Sequence, residues 1–363
     1  MATSAGTRFL SKSGDDRKLA LTRLFESQVL VSFREETLLW NSLNVGAGIT
    51  RPGANSGQVP GIISSKDITE GFSHQFLMFA EDIDPEYHTP GTELLGQKFV
   101  FDDNTITVDD ILVKHHDVPL DQKMLSHFDV MTQVASSIGR SLAKFFDKKL
   151  IQLGINAAYT AALTKDGQTV HSGGNQVERV DAQGAYGATG AYPANATGAD
   201  QFRDDVSNLA SLMDVDNVPE GPGTRFLFIT PEVRRVLGFA TSGLIFDRDL
   251  SRVPNSLNDR AIGVLEGFTV LVTNHIPTTN ITTGPSKYQG DFRHSGTNGQ
   301  PVALALAGAR EGAAAIGYVH AGGVRVHVED DHRRNTTFAK GQIIQGADVL
   351  APWCAGVIHV DDS

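Results

Sequence analysis

The sequence predicts an α+β protein in which a long helix and an extended hairpin accompany one compact α/β section. Three observations predict this class. An apolar stripe with helical spacing runs from residue 121 to 163, two strand-like arms flank a turn-rich segment, and short buried strands alternate with helices in the second half. A chain of 363 residues can bury a sizeable core in roughly two or three domains.

Charge and composition exclude several classes of function. The chain has 31 Lys+Arg against 42 Asp+Glu, which gives a net charge of -11. This acidic balance argues against a protein whose main task is binding nucleic acid, but it is compatible with a local basic patch. The single cysteine, Cys354, excludes a disulfide framework and a Cys-based zinc site. No stretch reaches the ~18 apolar residues of a membrane span. The N-terminus lacks the apolar core of a signal peptide, which predicts cytoplasmic synthesis.

The first 60 residues are predicted to form an arm. Residues 1–17 are small and polar, and residues 18–43 repeat apolar side chains every three or four positions, as an amphipathic helix does. Because little globular chain precedes this helix, its apolar face must dock on a distant surface, in the same subunit or in a neighbour. Residues 44–60 are rich in Gly and Pro and predict a linker.

Residues 61–112 are predicted to form a long extended hairpin. Its two apolar arms, 72–79 and 99–101, are separated by the turn-rich segment Asp84–Gly91. An isolated hairpin is marginally stable in water and exposes unpaired edges, so this one requires a partner surface.

The strongest helix prediction spans residues 121–163, which we call the spine helix. Its apolar stripe keeps a period of 3.6 residues, and at ~1.5 Å per residue the helix would be roughly 60 Å long. Charged residues on the opposite face exclude a membrane span: Lys144, Asp147, Lys148 and Lys149.

The second half predicts a compact α/β section, followed by returning strands around 324–328 and 346–360. Two stretches, 165–200 and 277–300, are Gly-rich and polar and predict insertions or loops. The main elements predicted for the α/β section are a helix at 202–213 and strands at 225–229, 268–272 and 302–306.

No motif predicts catalysis. The chain lacks a P-loop and a Gly-x-Ser-x-Gly elbow. The segments His115–Asp117 and Asp330–His332 lack the spacing of two ligands on one helix face and are interpreted as a strand end and a charged turn. Cys354 lies in an apolar run, as a small buried hydrophobe does. We therefore expect no catalytic, cofactor-binding or metal-binding residue.

Three segments carry a resemblance to a known family. Gly263–Pro277 contains a Gly-x-x-x-Gly-Phe pattern that leads into a strand and then a proline. Arg225–Leu237 reads as a strand followed by a helix that Pro opens, and Gly96–Asp110 precedes the spine helix. In these segments and in the order of its parts, the chain resembles the major capsid proteins of tailed bacteriophages with the Hong Kong 97-type fold, most closely the short-tailed, podovirus-type members.

The resemblance implies a shell protein, not an enzyme, that assembles into pentamers and hexamers of an icosahedral container for double-stranded DNA. It implies a scaffolding protein and a portal protein as partners, a decoration protein as a further candidate, no sequence-specific DNA binding, no membrane, and a place in the virion capsid after assembly in the host cytoplasm. The implied regions are an N-terminal arm (1–60), an extended loop (61–112), a peripheral domain (113–200), an axial domain (201–321) and peripheral return strands (322–363).

Large apolar side chains of the arm and hairpin are the candidate contacts between subunits. We expect the arm helix to lie on a neighbour and the hairpin to reach over an adjacent subunit. The candidates are Phe25, Phe33, Trp40, Phe76, Met78, Phe99 and Phe101.

Two alternatives stay open. An encapsulin-like shell would use the same fold to enclose enzyme cargo. A soluble two-domain hydrolase would use His115, His116 or His332.

Overall fold

In the computed structural model, one long helix lies against two main β-sheets. The structure describes residues 14–39, 43–44, 63–68, 71–79, 87–88, 93, 101–109, 111–119, 121, 130–180, 192, 196–220, 224–237, 264–293, 299–308, 314–331 and 333–361.

The helices are α1 (Gly14–Glu36), α2 (Val130–Ala158), α3 (Ala196–Val215) and α4 (Pro231–Leu237). The strands are β1 (Leu43–Asn44), β2 (Ile63–Asp67), β3 (Ser73–Phe79), β4 (Phe101–Thr107), β5 (Leu112–Pro119), β6 (Leu163–Lys165), β7 (Gln168–His171), β8 (Asn175–Val180), β9 (Arg225–Ile229), β10 (Val264–Leu265), β11 (Phe268–Val272), β12 (Asn280–Ile281), β13 (Gly290–Asp291), β14 (Gln300–Ala307), β15 (Ile316–Asp331), β16 (Thr336–Val349) and β17 (Ala355–Asp361).

Sheet 1 has the strand order β1-β2-β15-β16-β5, and sheet 2 has the order β10-β11-β9-β14-β17-β8. In sheet 1, β15 and β16 form a long antiparallel ribbon, with β2 parallel to β15. In sheet 2, β14 is antiparallel to both of its neighbours, while the pairs β11–β9 and β17–β8 are parallel. This mixture of sheets and helices confirms the predicted α+β class.

Helix α2 is the spine helix, and both sheets pack on it. An added Cβ at Gly341 of β16 would lie 2.6 Å from Ile138 Cγ2, so only glycine lets sheet 1 approach this closely. Farther along α2, an added Cβ at Gly154 would lie 3.1 Å from the side chains of Leu304 and Leu306 in sheet 2. The first half of the helix therefore packs on one sheet and the second half on the other.

The spine helix is shorter at its C-terminus than predicted. It ends at Ala158, where Tyr159 and Thr160 form tighter backbone bonds to the carbonyls three residues earlier. Asp121 is helical and residues 122–129 lie outside the described residues, so the predicted start of the helix is not tested. The 29 residues of α2 span ~44 Å. No described helix combines the length and apolar character needed to cross a membrane.

Helix α1 packs on α2 of its own subunit. Its apolar residues Phe25, Val29 and Phe33 are buried, and an added Cβ at Gly139 would lie 2.6 Å from the Val29 carbonyl oxygen. The helix was predicted to continue to residue 43, but it ends at Glu36. It ends there because the hydroxyl of Thr37 donates to the Phe33 carbonyl and the next two N–H groups bond to a side chain of α2.

That side chain is Asp147, which corrects its predicted position on the exposed face. Its carboxylate is buried and accepts the backbone N–H groups of Leu38 (2.7 Å) and Leu39 (3.2 Å). Burial raises the pKa of Asp147 to about 6, although the two N–H groups oppose the shift. Asp147 thus fixes the chain where it leaves α1.

In the second half, strands β9 and β11 are confirmed with the predicted bounds. Thr230 caps α4, because its Oγ1 accepts the N–H of Val233 at 3.4 Å. Gly267 has a φ of 82°, the left-handed region that the tight turn from β10 to β11 requires.

The two predicted insertions contain regular structure. Residues 165–200 include β7, β8 and the start of α3, and β8 is an edge strand of sheet 2. Residues 277–300 include β12, β13 and a 3-10 turn at Ser286–Tyr288. Strand β17 pairs in sheet 2, unlike the other strands of the predicted return segment 322–363, because its continuous apolar run suits a position between β14 and β8.

The raised pKa of Asp147 predicts a specific pH dependence of stability. Because its pKa in the folded protein (about 6) exceeds the ordinary 3.8, its contribution to the unfolding free energy is largest below pH 3.8 and is lost as pH rises through 6. As pH rises over this range, the unfolding free energy of the wild type should fall by about 3 kcal/mol relative to that of Asp147→Asn, whose side chain cannot ionise. Urea unfolding at several pH values measures this difference, with exposed Asp103→Asn as the control. A difference that stays constant with pH would contradict the assignment.

Candidate assembly surfaces

The hairpin of β3 and β4 has one face against sheet 1 and one face open. The strands pair from Ser73↔Thr107 to Phe79↔Phe101. On the inward face, Ile106 is fully buried and Phe76 is half-buried. On the outward face, Leu77 is 57 % exposed.

Sheet 1 receives the inward face through a glycine. An added Cβ at Gly317 of β15 would lie 2.4 Å from Ile106 Cδ1 and 3.7 Å from Phe76 Cε2. Asn104 of β4 also donates its side-chain N–H to the carbonyl of Val349 at 2.7 Å. The inward face is therefore occupied within the subunit, and the outward face stays available to another molecule.

Backbone bonds hold the base of the hairpin. The N–H of Val108 donates to the Phe72 carbonyl, and the N–H of Asp109 donates to the Gln345 carbonyl, both at 2.8 Å. The first bond closes the base of the hairpin, and the second connects it to strand β16.

The side chain of Asp109 forms a second attachment, which we call the Asp109 anchor. Its Oδ1 lies 2.7 Å from Lys287 Nζ, and its Oδ2 accepts the Tyr288 hydroxyl at 2.8 Å. The carboxylate and the Lys287 ammonium are mostly shielded from solvent, so their attraction is weakly screened. Burial and the nearby Asp109 raise the pKa of Tyr288, which keeps its hydroxyl protonated as a donor.

The 3-10 turn that carries Lys287 and Tyr288 is itself attached to the spine helix. The Asn156 side chain of α2 donates to the carbonyls of Lys287 (2.9 Å) and Gln289 (3.0 Å). Lys149 of α2 lies 5.1 Å from the Tyr288 ring centre in a cation–π contact. The predicted insertion at 277–300 thus links the hairpin base to the spine helix.

The structure places the predicted contact residues in different environments. Phe25 and Phe33 belong to the core between α1 and α2, so they are not exposed to a neighbour; the burial of α1 against α2 explains this. Phe76 is half-buried under the hairpin. Trp40, Phe99 and the side chains of Met78 and Phe101 lie outside the described residues.

Other apolar side chains are exposed on the arm and hairpin. They were not among the predicted contacts, because periodicity marks a buried face and gives little signal for single exposed residues. Phe72 at the hairpin base is 85 % exposed. Other exposed residues in or near these elements are Leu24, Val31, Tyr87, Ile111 and Val113.

Two of the histidines considered for catalysis lie on opposite faces of one strand. His115 and His116 alternate along β5, with His115 exposed beside Phe338 and His116 half-buried, while His332 lies outside the described residues. Among the described residues, no group of three His, Cys, Asp or Glu side chains could hold a metal ion. Burial raises the pKa of Cys354 to about 12, which keeps its thiol protonated.

Sequence reasoning missed both polar anchors. Asp109 and Tyr288 are separated by 179 positions, and Asp147 and Leu38 by 109. An isolated carboxylate next to apolar helix positions was the one available signal for Asp147. For Asp109, no local sequence pattern indicates that its partners are Lys287 and Tyr288.

Comparisons with known proteins agree with the fold. A family model described as Gp10A-like major capsid protein matches residues 77–359. A capsid structure of the cyanophage P-SCSP1u is 21 % identical, with a TM-score of 0.67, and the match covers 88 % of this chain and 94 % of that one.

Two further phage structures are similar. The mature capsid of bacteriophage PhiM1 is 13 % identical, with a TM-score of 0.65, over 87 % of this chain and 91 % of that one. A structure from Mycobacterium phage Che8 is 14 % identical, with a TM-score of 0.54, over 80 % of this chain and 85 % of that one. No curated protein matches the chain. The structural matches confirm the predicted Hong Kong 97-type fold.

The Asp109 anchor can be tested by Asp109→Asn, which removes the charge that attracts Lys287 and keeps an oxygen for Tyr288. We expect the free energy of opening the hairpin base to fall by about 1–2 kcal/mol, because the lost ion pair is partly shielded from solvent. Amide hydrogen exchange over 101–109 should then become about 10-fold faster. Asp103→Asn, on the exposed face of the same hairpin, is the matched control, and unchanged exchange in Asp109→Asn would disprove the anchor.

Proposed function

The chain belongs to the Gp10A-like family of major capsid proteins, and from this premise we propose that its copies form hexamers and pentamers that close an icosahedral shell around double-stranded DNA. As a major capsid protein it is a component of the phage capsid. Assembly in the host cytoplasm is part of the proposal.

The observation that carries the proposal is the half-covered hairpin. Its inward face is fixed on sheet 1, whereas its outward face presents Leu77, with the exposed Phe72 at its base. Burying one such side chain at a subunit contact contributes about 1.5–3 kcal/mol. Each copy would give such a contact and receive one, so many weak contacts would add up to a stable shell.

The arm would contribute through the outer side of α1. Because Phe25 and Phe33 hold α1 on the spine helix, the exposed Leu24 and Val31 are its candidates for contact with a neighbour. The other predicted contacts between subunits rest on the family resemblance alone: Trp40, Phe76, Met78, Phe99 and Phe101.

We propose a structural role without catalysis. The opposite orientations of His115 and His116 and the protonated Cys354 support this proposal, and the family match favours a phage capsid over an encapsulin-like cargo shell. A scaffolding protein, a portal protein and a decoration protein are the proposed assembly partners.

Electron microscopy of the expressed protein, with and without a scaffolding protein, tests the proposal. We expect closed particles with fivefold and sixfold clusters of subunits. A protein that stays monomeric or dimeric under both conditions would contradict it.

Leu77→Ser tests the outward face of the hairpin. The subunit should keep its unfolding free energy within about 0.5 kcal/mol, because Leu77 is largely exposed. The concentration at which particles form should rise at least about 10-fold, because the lost burial exceeds about 1.4 kcal/mol. Light scattering and urea unfolding measure the two quantities. Gln75→Ser changes a polar residue on the same face and should leave assembly nearly unchanged; an equal effect of both variants would contradict an apolar contact.

A further inference from the structure

The exposed side of the spine helix carries a line of positive charge. Arg140, Lys144 and Lys148 are four residues apart and all exposed. Residues at this spacing are neighbours on a helix surface, about 5–6 Å apart at Cβ. We call these three residues the basic ridge.

No acidic side chain in the described part of the chain neutralises the ridge. Among the described residues, none of its three side chains forms an ion pair, and Arg140 donates only to the carbonyl of Ser136 in its own helix. The one acidic residue of α2, Asp147, is buried and faces the end of α1. This concentration of unpaired cations is unusual in a chain with a net charge of -11.

The positive charge of the ridge affects a neighbouring histidine, His275. His275 follows β11, and its Nδ1 is buried without a partner among the described residues. Burial lowers the pKa of His275, and Lys148 and Lys144 lower it further by repulsion. His275 therefore lies close enough to Lys148 and Lys144 for their charges to act on it.

The chemistry of the ridge suits a phosphate backbone better than a protein partner. Stable protein interfaces place buried apolar anchors at their centre. The aromatic side chain at the ridge is Phe145, which is 42 % exposed and has Lys149 Nζ 5.4 Å from its ring centre. A strand of duplex DNA carries one charge per ~3.4 Å, so a ridge ~12 Å long can face about three phosphates.

We propose that the basic ridge of Arg140, Lys144 and Lys148 is a sequence-independent contact for the phosphate backbone of duplex DNA. This inference rests on the proposed function as a DNA-enclosing shell. It assigns the contact to one strip of a subunit whose overall charge repels DNA. With three cations the contact is weak and sensitive to salt, which lets the packaged DNA move.

The test uses fluorescence anisotropy of a labelled duplex of about 30 base pairs, with dissociated subunits, at salt concentrations from about 50 to about 200 mM KCl. Wild-type affinity should fall about 40-fold over this range, the dependence expected for about three phosphate contacts. The variant Arg140→Gln/Lys144→Gln/Lys148→Gln should lose most of the affinity, and its slope of log affinity against log salt should be about 3 smaller. Two unrelated duplex sequences should bind equally.

A matched variant separates the ridge from net charge. Lys66→Gln/Arg325→Gln/Arg333→Gln removes three other exposed cations, so both variants carry a net charge of -14 (-11 minus 3). The inference fails if this control weakens binding as much as the ridge variant, or if the ridge variant binds like the wild type. It also fails if poly-glutamate of equal charge binds the ridge more tightly than DNA, since an acidic polypeptide would then be the partner.

Particle formation by the ridge variant distinguishes the two levels of the proposal. Shells that form normally but no longer bind DNA through the ridge support the inference and the capsid role together. Wild-type shells without any DNA affinity at the ridge would overturn the inference and leave the capsid role intact.

Discussion

Close backbone approach to the spine helix is the constraint on which the rest of the subunit depends. An added Cβ at Gly139 of α2 would meet α1, and one at Gly154 of α2 would meet sheet 2. An added Cβ at Gly341 of β16 in sheet 1 would meet α2. Protein interiors have few voids, so a larger side chain at any of these positions must push the neighbouring atoms away. Because the hairpin rests on sheet 1 and its anchor rests on α2, such a displacement would also move the surface that faces a neighbour.

The hairpin has a base that is fixed within the subunit and an outward face that carries an exposed apolar side chain. Gly317 and the Asp109 anchor hold the base from two directions, one through sheet 1 and one through the turn at Lys287 and Tyr288. A free hairpin would pay the entropy of ordering when it met a neighbour, whereas an anchored one has lost that freedom during folding. The polar anchor therefore strengthens an apolar contact that it does not itself make.

The parts predicted from the sequence are those with strong local patterns. The stripe of α2 and the apolar strands β9 and β11 carry their periodicity within a single element, and all three were found. Strand β8 was missed because its few apolar residues are buried only by pairing with β17, which follows 180 positions later. Asp109 and Asp147 were missed for the same reason: their partners are distant in sequence, and an isolated carboxylate is usually solvated.

The distribution of charge reconciles the acidic composition with a DNA container. Repulsion between a subunit of charge -11 and DNA falls off over ~8–10 Å at physiological salt, so most of the surface neither attracts nor strongly repels a distant duplex. Within that distance the local charge decides, and the cations of α2 are concentrated on one exposed strip. Three cations per copy would orient DNA without trapping it, because each phosphate contact exchanges with counterions. A uniformly basic surface would hold DNA far more tightly and would oppose both its entry and its release.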